Sequence, residues 1–126
     1  MARAQTRSKR KPTGSRYKRL GRGKTKNELS GYAANTKLSA NTKKKVVRTI
    51  GGNKKQKVLS TEIMNVTDKK GKSQKTQILN VIENPANPPL VRRNIITKGA
   101  IVETKLGKAK VTSRPGQENS LNGMLL

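Results

Sequence analysis

Charge and apolar residues are segregated along this chain, and the segregation limits where a fold can form. The first 26 residues hold eleven Lys or Arg, no acid, and no Val or Ile. Such a segment cannot bury enough apolar surface to offset the entropy of ordering its backbone. Residues 1–57 carry 19 Lys+Arg against one acid, Glu28, a net of +18; residues 58–126 carry 11 against five, a net of +6. A core must therefore come from the second part. The expected division is a basic extension over residues 1–44, without order when free, and a folded domain over residues 45–126.

From Val46 onward, short β-branched runs are separated by turn signals roughly every 8–12 residues, a texture of all-β sandwiches and barrels. The candidate strands are Lys45–Ile50, Lys57–Thr67, Thr76–Glu83, Val91–Thr97, Ala100–Thr104, Ala109–Ser113 and Leu121–Leu126. Between them, Gly51-Gly52-Asn53, Asp68–Gly71, Lys98-Gly99, Leu106-Gly107-Lys108 and Pro115-Gly116 carry turn chemistry. Asn84–Pro89 contains three prolines, which remove ladder donors, and is expected to be a surface loop. The expected core is Ile78, Val81, Ile82, Ile95, Ile96, Ile101, Val102, Val111, Leu121 and Leu125. One short helical turn is expected near Lys26–Tyr32. The fold class is thus all-β, a small β-barrel of about six or seven short antiparallel strands with a long, irregular basic N-terminal extension. A core from about 70 residues supplies only about 3–5 kcal/mol, so a bound partner would add stability by mass action.

The nature of that partner is constrained by a net charge of +24. Small domains ordinarily carry a net charge of about 2–8 in magnitude. Self-repulsion at this density opposes compaction, whereas a polyanion turns it into binding free energy through counterion release. A membrane is disfavoured. No stretch approaches the roughly 18 apolar residues of a span. The amino terminus lacks the apolar core of a signal peptide. Leu20, Leu29, Tyr32 and Leu38 are too scattered for an interfacial helix. Nucleic acid is the expected partner, and the absence of a secretion signal and of Cys fits an intracellular compartment.

The candidate contacts read from charge are Arg3, Arg7, Arg16, Lys18, Arg19, Arg22, Lys24, Lys26, Lys43, Lys44, Lys45 and Lys57. Arg48, Arg92, Arg93 and Arg114 stand on or beside candidate strands, where a planar fork holds a phosphate at two points. In a regular strand, adjacent Arg92 and Arg93 would point to opposite faces. Tyr17 and Tyr32 are the only aromatics, which argues against single-strand readers that stack bases on several rings. Recognition of backbone and shape by cations is favoured instead.

Chemistry beyond binding has little to draw on. With neither Cys nor His, disulfides and Cys/His zinc sites are excluded, and the six acids are scattered singly. Glu62, Glu83 and Glu103 could in principle meet in a barrel, but one acid per strand usually marks a solvated face or an ion pair. The GRGKT run at Gly21–Thr25 lacks the earlier glycine of a phosphate loop, since that position is Lys18. The expectation is therefore no enzyme, no metal, no cofactor and no small-molecule substrate. A chromatin-like DNA-binding protein or a free RNA chaperone would account for the charge equally well, but not for a barrel.

The run NPANPPLVRRNIITKGAIVETKLGKAKVTSRPGQ, Asn84–Gln117, closely resembles the eight-e family of ribosomal proteins of the archaeal and eukaryotic small subunit. KRKPTG at Lys9–Gly14, TKL at Thr36–Leu38 and RTIGGNKK at Arg48–Lys55 agree with the same family in the expected order. The chain lacks the large insertion and cysteines of eukaryotic members and looks archaeal. A related ribosome-assembly factor family shares part of the carboxyl-terminal pattern, but its chains are longer. The resemblance implies a β-barrel-like domain, a basic extension threading into ribosomal RNA, neighbouring ribosomal proteins, a place in the cytoplasmic ribosome, no self-association and no catalysis. It further implies RNA-facing roles for Lys9, Arg10, Lys11, Thr13, Gly14, Lys37, Arg48, Asn53, Lys54, Lys55, Arg92, Arg93, Lys98 and Arg114.

Overall fold

Seven strands and three 3-10 turns are formed in the computed structural model among the residues it describes, 8–18, 23, 25–28 and 31–126. Two units, Met1–Ala33 and Ala34–Leu126, divide the chain, so residues 34–44, grouped by composition with the extension, lie in the second unit.

Strands β1 (Lys43–Arg48) and β2 (Lys54–Ser60) pair antiparallel as a separate two-stranded sheet. Strands β3 (Ile63–Thr67), β4 (Ser73–Glu83), β5 (Ile101–Thr104), β6 (Gly107–Val111) and β7 (Asn122–Leu125) succeed one another around a closed barrel. Sequential neighbours are antiparallel; β7 closes the ring by running parallel to β3, with Val66 opposite Gly123. The strands are thus not all antiparallel, and five of the seven make the barrel. Lys57–Thr67, expected as one strand, is two: the chain turns at Thr61-Glu62, where the Thr61 hydroxyl accepts from the Ile63 amide at 3.1 Å.

Alternation explains the core. On β3, Met64 and Val66 are buried while Asn65 is exposed; on β5 and β6, Val102, Ala109 and Val111 turn inward. With Ile78, Val81, Ile96, Ala100 and Leu121 they make one apolar cluster, and Leu125 packs against it. Ile82 corrects the expected core. The register of β4 against β5 shifts between Ile78 and Asn80 and again between Val81 and Glu83. These bulges change which residues face inward, so Val81 is buried and Ile82 is 40% exposed. Ile101 is only half-buried for the ordinary reason that it lies on the outer face of β5.

Val91–Thr97 is not a strand. Pro88–Arg93 is a 3-10 turn, and only Ile95 beyond it makes an isolated β-bridge, to Lys37. Two prolines at the start of the turn fix φ near the helical value at positions whose missing N–H costs nothing. Asn94, with φ 48°, then closes the turn by donating its N–H to the carbonyls of Leu90 and Val91. The expected surface loop over residues 84–89 therefore runs into a helical turn. In the first unit, Lys26–Glu28 is a 3-10 turn, and residues 29–30 of the expected helical segment lie outside the described residues.

Candidate nucleic-acid interface

The densest cationic feature is the β1–β2 hairpin. Residues 43–57 contain seven Lys or Arg and no acid. Its turn depends on two glycines, Gly51 at φ 75° and Gly52 at φ 76°, a conformation that side chains with a Cβ resist. The Thr49 amide and hydroxyl both donate to the Asn53 carbonyl, at 2.7 and 3.0 Å, and fix the turn so that Lys54 comes opposite Arg48. Lys43, Lys44, Lys45, Arg48, Asn53, Lys54 and Lys55 are exposed, and Lys57 is half-buried.

The base of the hairpin is tied to other candidates. The Thr36 hydroxyl donates to the Val58 carbonyl at 2.6 Å, and the Lys37 amide donates to the Leu59 carbonyl at 3.0 Å. Lys37 also bridges Ile95, while the Leu38 amide donates to the Asn94 carbonyl at 3.0 Å. Residues 36–38 therefore join the hairpin to the turn that carries Arg92 and Arg93. Both arginines are exposed. In a 3-10 turn of about three residues per turn, neighbours project about 120° apart, which replaces the opposite faces expected of a strand. On the far edge of β2, the Val58 amide donates to the Pro115 carbonyl at 2.9 Å and Lys55 Nζ donates to Gln117 Oε1 at 3.2 Å. Exposed Arg114 stands at the start of that loop. Backbone pairing thus assembles Lys37, the hairpin cations, Arg92, Arg93 and Arg114 into one connected framework. Lys98 is not part of it; it lies in the exposed turn before β5.

In the first unit, residues 9–17 form a small antiparallel turn. The Tyr17 amide donates to the Lys9 carbonyl at 3.0 Å, the Gly14 amide to the Lys11 carbonyl at 2.9 Å, and Arg10 pairs with Arg16. Arg10 Nη1 donates to the Gly14 carbonyl at 3.0 Å, and Lys11 Nζ lies 5.6 Å from the centre of the Tyr17 ring, a cation–π distance. Lys9, Arg10, Lys11, Thr13, Gly14, Arg16 and Lys18 are all exposed, as is Tyr32. Arg3, Arg7, Arg19, Arg22 and Lys24 lie outside the described residues, and Lys26 begins the 3-10 turn.

Sequence reasoning passes over Lys75. With Lys44, Thr42 and Asn65, and beside the apolar Val58, Ile63 and Leu121, it lines an open cleft of mixed character at the hairpin base. The outward position of Lys75 on β4 is readable from strand alternation, but its proximity to Lys44 depends on the tertiary fold. Glu62 accepts from Gln77 Nε2 at 3.1 Å, Glu83 and Glu103 are exposed on β4 and β5, and no cluster of three or more metal-ligating groups exists among the described residues. No helix among those residues is long and apolar enough to cross a membrane.

A family model described as "Ribosomal protein S8e" matches residues 4–126. Among curated relatives, "Small ribosomal subunit protein eS8" of Methanobrevibacter smithii is 54% identical over 127 residues, covering 100% of both chains. The protein of that name from Methanococcus aeolicus is 51% identical over 123 residues, 97% of this chain and 95% of its own. That of Methanocorpusculum labreanum is 49% identical, covering 97% of each.

Proposed function

Because the chain belongs to the ribosomal protein S8e family, whose members are structural rather than catalytic, we propose that it binds and stabilises folded ribosomal RNA through Lys/Arg–phosphate contacts. The reading puts the protein in the small subunit of the cytoplasmic ribosome, with small-subunit RNA as its principal partner and other ribosomal proteins as neighbours. It carries over what the relatives' names say of them.

The observation that carries this reading is the hairpin with seven cations and no acid, joined by backbone pairing to Lys37 and to the Arg92–Arg93 turn. Backbone pairing brings these cations together before RNA is met, so less backbone entropy is lost on binding and more of the counterion-release free energy is retained as affinity. A pre-shaped RNA is held where its backbone matches the array, and one packing of its helices is favoured over others. Base stacking has a minor part, since Tyr17 lies beneath Lys11 and only Tyr32 offers an open ring among the described residues.

The test is the salt dependence of binding to an archaeal small-subunit RNA. With about eight phosphates engaged on duplex-like RNA, log K falls against log salt with a slope of about −7. A flat dependence, or equal affinity for duplex DNA in competition, contradicts the proposal.

A further inference from the structure

A two-stranded sheet that packs on a protein core buries one face. The β1–β2 hairpin buries neither face over its outer part: residues 44–46, 48 and 54–56 are exposed, Val46 at 56%, and Val47 and Lys57, which share the Lys45 face, are half-buried. Side chains alternate between faces along each strand, so Lys45 and Arg48, three residues apart, point to opposite sides. Register places Lys45 directly opposite Lys57 and Arg48 directly opposite Lys54. Each face therefore presents a cross-strand pair of cations. Lys55 adds to the Lys45 side and Lys44 to the Arg48 side.

Like charges directly opposite one another destabilise a strand pair, and a lone two-stranded hairpin is marginal in water. Neither strand supplies an acid to relieve either pair. A cationic surface for one polyanion would need only one such face, the other being free to carry acids or to pack. We infer that the hairpin is a two-sided finger inserted between two RNA segments, with Lys45 and Lys57 on the backbone of one and Arg48 and Lys54 on the backbone of the other. Each backbone relieves the repulsion within its own pair, so the hairpin and the RNA junction stiffen together. The inference rests on the RNA-binding function proposed above and adds to it how many segments the finger holds and which cations hold each.

Nucleotide protection on archaeal small-subunit RNA distinguishes the two levels. The full-length protein is compared with Lys45→Gln/Lys57→Gln and with Arg48→Gln/Lys54→Gln. Each double variant is expected to lose its own set of protected nucleotides and keep the other's, with a salt slope shallower by about 2 units for two lost phosphates. If both variants lose one common set, or either loses none, the finger is not two-sided, although RNA binding stands. If the native protein protects nothing, the functional reading itself fails. Lys57→Glu guards against a folding artefact, because it sets opposite charges across the strands. In the full-length protein without RNA, the hairpin amides should then exchange more slowly, while the RNA still loses the Lys45-side set; retention of that set overturns the inference.

Discussion

Gly123 occupies a place that no side chain fits. A Cβ there would stand 2.8 Å from the backbone oxygen of Lys110 and 3.1 Å from Sδ and Cε of Met64, the latter a fully buried side chain. The methionine tip can swing aside, but the β6 backbone cannot move without disturbing its ladder. Gly123→Ala is therefore expected to destabilise the fold by about 1–3 kcal/mol, as overpacking does, lowering the midpoint of denaturant unfolding. An unchanged midpoint contradicts that account of the packing. Asn84 shows another constraint: its Oδ1 accepts from Thr97 Oγ1 at 3.1 Å and from the Asn87 amide at 3.4 Å. It thereby holds the start of the proline-rich loop against the segment beyond the Arg92–Arg93 turn. At this scale the sequence is legible where alternation is regular, as for Val102 and Val111. It misleads at Ile82, because bulges leave no compositional trace and reverse the facing of the residues after them.

Strand boundaries are readable wherever a turn residue is chemically compelled. Gly51-Gly52-Asn53 and Asp68–Gly71 fall between strands as their chemistry requires, while Val91–Thr97 misleads because its β-branched content outweighs the prolines just before it. The connection between the hairpin base and the Arg92–Arg93 turn through Lys37 is not legible, since isolated bridges between distant segments have no periodicity. Closure is equally invisible: β7 has four residues, yet it is hydrogen-bonded to β3 on one side and β6 on the other. Deleting Leu121–Leu126 exposes an edge on each of those strands and removes Leu121 from the core. The shortened protein is expected to lose cooperative thermal unfolding; a retained sharp transition would show that four strands suffice.

Over the whole molecule, +24 charges repel one another until a polyanion is bound. The cations of residues 1–26 belong to a unit separate from the barrel. Removing residues 1–26 is therefore expected to leave a dispersed amide spectrum while weakening RNA binding and flattening its salt dependence. Collapse of the spectrum would show that the barrel needs the arm. The parallel seam between β3 and β7 has a consequence for synthesis. A chain made from its amino end completes its cation-rich stretches first and its seam last, so no ring of strands exists until the final strand has been added. During that interval the nascent protein already displays most of its positive charge, and its apolar faces are still open. The stage at which it is most exposed to misassociation is thus also the stage at which nearby RNA attracts it most strongly.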